Sequence, residues 1–123
     1  LESYAAFHSY IPHDKLVAVM KRAALLFFVV PETSYAKGIP TSKLFDYMGA
    51  GRPILGIGPV DGEAAAILQK SNTGAMLDWL DEEGIQVAVS KMLSKDYSNE
   101  TAVQIFTRRR LCKNFVDILN ELL

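Results

Sequence analysis

A threonine, a serine, a lysine and an aspartate on one short stretch carry the chemistry this chain can do. In Ile39-Pro40-Thr41-Ser42-Lys43-Leu44-Phe45-Asp46, Pro40 holds Ile39 extended and stops any helix arriving from the N-terminal side, and Thr41 or Ser42 can cap the helix that follows. A helix is therefore predicted to begin near Ser42. Amides in the first turn of a helix lack intrahelical partners and carry the positive end of its dipole, which suits the backbone of Thr41, Ser42 and Lys43 to a phosphate. Lys43 adds a mobile cation. Side chains three or four apart share a face, which sets Asp46 beside Ser42 or Lys43 and turns Leu44, Phe45 and Met48 to the core. A carboxylate so near a phosphate does not bind it; it can accept hydrogen bonds from a sugar diol about one turn away, as an acidic residue does for ribose in dinucleotide folds. The plainer alternative is a capped surface helix with a Lys43–Asp46 pair worth roughly a few tenths of a kcal/mol.

Other candidates are weaker. The glycines of Gly56-Ile57-Gly58-Pro59-Val60-Asp61-Gly62 lack the GxGxxG spacing, and Pro59 removes an amide, so close packing explains them better than a dinucleotide fingerprint. His8 and His13 have no Cys, His or acidic partners at metal-ligand spacing, and no metal site is expected. His13 reads as a surface residue at a helix start rather than a catalytic base. Arg108, Arg109 and Arg110 form the only basic run, read first as a solvated helix face and second as a contact for anionic lipid or another domain.

The elements that must position these residues alternate between strand and helix with short punctuation, the signature of a parallel sheet covered on both faces. Phe7 to Ile11 is predicted as a strand, followed by Pro12 at the start of a helix over Asp14 to Ala24. Leu25 to Val30 is apolar throughout and suits a central parallel strand buried on both faces. Pro31 to Pro40 then delivers the chain from the carboxyl end of that strand to the helix at Ser42, and ligands bind at that edge of open α/β sheets. Gly49 and Gly51 stop this helix, with Pro53 preventing its continuation. Ile54 to Ile57 is the next strand. Asp61 is placed to cap a helix over Gly62 to Lys70, and Gly74 ends the turn after it. Ala75 to Leu77 forms a short edge strand. Helices near Glu82 to Ser94 and Asn99 to Leu122 complete the chain, the last with a buried stripe of Leu111, Phe115, Ile118 and Leu122. No linker, internal repeat or low-complexity segment divides the chain, and residues 1–123 are read as one domain.

Composition bounds the partners. A formal net charge of -1 over 123 residues argues against non-specific nucleic-acid binding, which needs a basic excess. The single cysteine, Cys112, cannot form an intrachain disulfide and fits a reducing compartment. The longest nearly apolar run, Ala23 to Pro31, is far below the roughly 20 residues of a membrane span. No signal-peptide pattern is present.

The run Ser42-Lys43-Leu44-Phe45-Asp46-Tyr47-Met48-Gly49-Ala50-Gly51-Arg52-Pro53-Ile54-Leu55, followed by Gly62-Glu63 and by Asn72-Thr73-Gly74, closely resembles the C-terminal domain of GT-B glycosyltransferases of the large retaining family often called group 1. The resemblance extends from about Phe7 to the C-terminus. It implies a Rossmann-like parallel sheet with helices on both faces, the C-terminal half of a GT-B fold without its first strand-helix unit. In that family the matching helix start binds the donor diphosphate and the acidic residue holds the nucleotide ribose, roles that fall here on Thr41, Ser42 and Lys43 and on Asp46. The turn Ile11-Pro12-His13 falls where the family often meets the base, with Ile11 and Pro12 as the possible contacts, and Gly62-Glu63 lies near the donor sugar in some members. Two positions depart from the pattern: Asp46 stands where Glu is usual, and Gly38 stands where many members carry a second Glu.

The resemblance implies the donor-binding half of a retaining transferase that uses a nucleoside-diphosphate sugar as co-substrate, with no cofactor and no metal. A glycan or lipid-linked acceptor of bacterial surface polysaccharide would be held by a domain upstream of Leu1. The chain begins with Leu1 rather than Met and a GT-B enzyme needs two domains closing over a cleft, so it reads as a fragment carrying no catalytic residue. The implied setting is cytoplasmic, with peripheral contact at the inner membrane face for the full enzyme. The alternatives are a nucleotide-sugar epimerase of the same architecture and a non-enzymatic α/β interaction or regulatory module.

Overall fold

The computed structural model describes residues 3–94 and 103–123. Three four-residue strands, β1 (Leu26–Val29), β2 (Ile54–Ile57) and β3 (Gly74–Leu77), form a parallel sheet in the order β1-β2-β3. Helix α1 (His13–Arg22) precedes β1, while α2 (Ser42–Ala50) and α3 (Glu63–Ser71) make the two crossovers. After β3 come α4 (Glu82–Ser94) and α5 (Arg108–Leu122). This is a Rossmann-like α/β arrangement, in keeping with the alternation of apolar runs and helices.

Register fixes the two faces. Leu26 pairs with Ile54 and Phe28 with Gly56, which pairs in turn with Met76; alternate residues of a strand share a face, so these line one side of the sheet. Against it lie Leu44 and Met48 of α2 and Ala64 and Leu68 of α3, forming the main core with Phe28, Val30 and Ile54. Both crossovers place their helices on this one face, as the uniform hand of βαβ units demands. Gly56 is needed here: a Cβ would lie 2.8 Å from the Phe28 ring and from Met76 Sδ. The opposite face carries Leu55 and Ile57 of β2 and Ala75 and Leu77 of β3, and α4 packs there through Ala88 and the buried Met92.

Several sequence expectations need correction. β1 is an edge strand in the described sheet rather than a central one: Leu26 and Phe28 are buried, but Phe27 and Val29 are 51% and 49% exposed because α4 covers only the far side of that face. Phe7 to Ile11 forms no strand and pairs with nothing, leaving Phe7 and Tyr10 almost fully exposed. Gly49 lies inside α2; the stop is Gly51 alone, in the left-handed conformation at φ 68° where a side chain would be strained. Gly74 opens β3 rather than ending a turn. Part of the predicted final helix, from Asn99 to Ala102, falls outside the described residues, and Thr107 breaks the rest: its extended backbone separates a 3-10 turn at Gln104–Phe106 from α5, and its hydroxyl accepts from the Arg110 amide. The apolar stripe of α5 is not buried. Leu111, Phe115, Ile118 and Leu122 are 48–77% exposed, since among the described residues α5 packs chiefly against the neighbouring 3-10 turn.

Candidate functional site

Helices that lead into strands of a parallel sheet run antiparallel to them, so the starts of α1, α2 and α3 gather at the carboxyl edge of the sheet, where such folds bind ligands. The three segments singled out by sequence, Ile11-Pro12, Thr41-Ser42-Lys43 with Asp46, and Gly62-Glu63, all stand at this edge. Their neighbourhood is a consequence of topology and not of sequence distance.

At its centre is the start of α2. Thr41 occupies the N-cap with extended backbone (φ -65°, ψ 141°), and its carbonyl accepts from the Leu44 amide at 3.0 Å. No side chain caps this end, and no acidic residue lies in the first turn. The Thr41 hydroxyl oxygen is buried with no protein partner. A helix start at a ligand edge thus keeps its amides and one buried hydroxyl uncommitted, an arrangement that favours an anion. Lys43 is exposed and makes no ion pair among the described residues.

Asp46 lies about 6 Å further along the axis by the rise of an α-helix and is half exposed. The Lys43–Asp46 pair of the plainer sequence reading does not form. The carboxylate instead faces His13 of α1, with His13 Nε2 3.6 Å from Asp46 Oδ1. The packing of α1 on α2 creates this contact: Met20, Leu16 and Val17 meet Ala50 and Tyr47 beneath the base of β1. Tyr47 is itself fixed, its ring edge-on to Phe28 and its hydroxyl donating to the Phe27 carbonyl at 3.2 Å. Burial and the neighbouring Asp46 charge raise the Tyr47 phenol above its ordinary value. Arg52 of the same sequence block serves the fold, donating from Nε to the Ala23 carbonyl that ends α1.

Beside α2, two loops close on each other. Lys37, in the 3-10 turn Ala36–Gly38, donates to Asp61 at 2.5 Å, and this hydrogen bond, together with the lysine charge, holds the Asp61 carboxyl below its usual range. Asp61 is therefore not the cap of α3; Gly62 holds that position with no side-chain cap. Gly62 is buried where a Cβ would come 3.0 Å from the Lys37 carbonyl oxygen, which explains the glycine by close approach. Glu63, the first residue of α3, is exposed. Sequence reading placed His13 in the Ile11-Pro12-His13 turn but not against Asp46; it missed Lys37 and Asp61 as members of this edge, and also Trp79, whose indole donates to the Val30 carbonyl at the end of β1 at 2.9 Å. These contacts join residues 24 to 49 positions apart, and no local spacing announces them.

Phe45 is the one misplaced member of the helix. It is 40% exposed, its ring 6.4 Å from that of Phe106, whereas Leu44 and Met48 are buried as expected. Among the described residues no group of three or more His, Cys, Asp or Glu is placed to hold a metal ion, and no helix is long and apolar enough to cross a membrane. No protein-family model, curated protein or solved structure matches this chain.

Proposed function

We propose that this chain is the nucleoside-diphosphate-sugar-binding part of a retaining glycosyltransferase, the C-terminal half of a GT-B architecture. The observation that carries the reading is the start of α2: an uncapped helix end with a buried, unpartnered Thr41 hydroxyl at the carboxyl edge of the sheet, and the Asp46 carboxylate one turn on. The diphosphate would sit on the amides of Thr41, Ser42 and Lys43, the ribose on Asp46, the base near Ile11 and Pro12, and the donor sugar toward Gly62 and Glu63. In sugar transfer the departing diphosphate gains negative charge, and fixed amides stabilise it without reorganising. The acceptor, a glycan or lipid-linked sugar, would be held by a second domain, and the edge of β1 that no described strand pairs is open to a further strand.

The test is binding without added metal. UDP, GDP or ADP should shift the amide resonances of Thr41 to Asp46, should bind more tightly than the bare nucleoside, and should be weakened by salt. Asp46→Ala should cost about 1–3 kcal/mol of nucleotide affinity and leave the thermal transition in place, because its side chain is half exposed. A non-enzymatic α/β module predicts none of these effects; absence of any shift at Thr41 to Asp46 in the folded chain would decide for it.

A further inference from the structure

We infer that His13 is a positioning residue for nucleotide recognition, holding the Asp46 carboxylate in the orientation that meets the ribose diol; the inference rests on the proposed nucleoside-diphosphate site. Its Nε2 lies 3.6 Å from Asp46 Oδ1, longer than a direct hydrogen bond but near enough for one to form with a small side-chain rotation. The two side chains are 70% and 48% exposed, and pairs so open to water add little to folding. The separation of α1 and α2 is set elsewhere, by Leu16, Val17 and Met20 against Tyr47 and Ala50. The contact is therefore a product of the core and not a support for it. What it changes is Asp46 itself. An aspartate on an open helix face samples several rotamers, and a polar ring held to one side selects among them. With Oδ1 turned to the imidazole, Oδ2 is left for a hydroxyl donor. The same α1 start carries Ile11 and Pro12, so one helix end would orient the ribose carboxylate and border the base.

The experiment compares His13→Ala, Asp46→Ala, the double variant and His13→Lys of the full 123-residue chain, titrated with whichever of UDP, GDP and ADP binds and with its 2′,3′-dideoxy counterpart. His13→Ala should weaken the ribonucleotide roughly three- to fivefold, leave the dideoxy nucleotide and the thermal midpoint unchanged, and add nothing in the Asp46→Ala background; His13→Lys, which keeps an N–H donor there, should recover most of the loss. Unchanged ribonucleotide affinity in His13→Ala, with Asp46→Ala still weakened, overturns the inference and leaves the site reading standing. A further loss of the same size when His13→Ala is added to Asp46→Ala, or the same loss with the dideoxy nucleotide, also overturns it, because His13 would then touch the nucleotide itself. If no nucleoside diphosphate moves the amides of Thr41 to Asp46 in the unsubstituted chain, the site reading fails and takes this inference with it.

Discussion

Thr41 concentrates the tension between folding and binding in this molecule. A buried hydroxyl without a partner costs about 1–3 kcal/mol of desolvation, and the Thr41 oxygen is in that condition. Thr41→Val should therefore leave stability unchanged or raise it by up to about 1 kcal/mol in thermal denaturation while reducing nucleoside-diphosphate affinity; a destabilised Thr41→Val would show that the hydroxyl is already satisfied and free the site of that argument. Asp61 offers a second residue-level check. Lys37 holds its folded-state value below the ordinary 3.8, so the pair favours the folded state above the unfolded value and that contribution is lost as pH falls through the folded one. Carboxyl titration followed by NMR should place Asp61 lower in the native chain than in Lys37→Met; equal midpoints would dissolve the loop-to-loop link.

At the scale of elements, α2 and α5 teach opposite lessons about apolar periodicity. Both have apolar residues at helical spacing, but only α2 lies over the sheet, with Leu44 fully buried and Phe45 40% exposed. Leu44→Ala should cost about 2–5 kcal/mol through the cavity it leaves, Phe45→Ala only on the order of 1 kcal/mol for its partial burial, and Phe115→Ser on α5 less than about 0.5 kcal/mol. Urea denaturation of the three variants checks the ranking. A loss at Phe115 as large as at Leu44 would mean that the stripe of α5 is covered in solution.

Over the whole molecule, the sheet has one well-covered face and one partly covered face. The main core joins β1, β2, α2 and α3 through Phe28, Ile54, Leu44 and Leu68, all buried, with Met76 of β3 packed against them, enough for a cooperative unit. The candidate site, by contrast, is a single wall of helix starts facing solvent. The chain by itself should melt in one thermal transition yet transfer no sugar from UDP-, GDP- or ADP-linked donors, because among the described residues no opposing surface holds an acceptor or excludes water. Turnover by the isolated chain would overturn the two-domain reading.

The sequence by itself determined what depends on neighbours along the chain: the start of α2 after Pro40, its end at Gly51, strands at Leu26 and Ile54, and the apolar positions Leu44 and Met48. Local sterics and backbone hydrogen bonding act over a few residues, so Pro, Gly and helical spacing reveal them directly. It also marked Thr41 to Lys43 and Asp46 as a unit, because one helical turn fixes their mutual placement. Only the tertiary structure decided that β1 is an edge, that α5 stands uncovered, that Phe45 turns outward, and that Asp46 faces His13 while Lys37 ties to Asp61. Burial and long-range pairing depend on which element lies behind a residue, and an apolar periodicity states that a helix has a face without stating what, if anything, meets it.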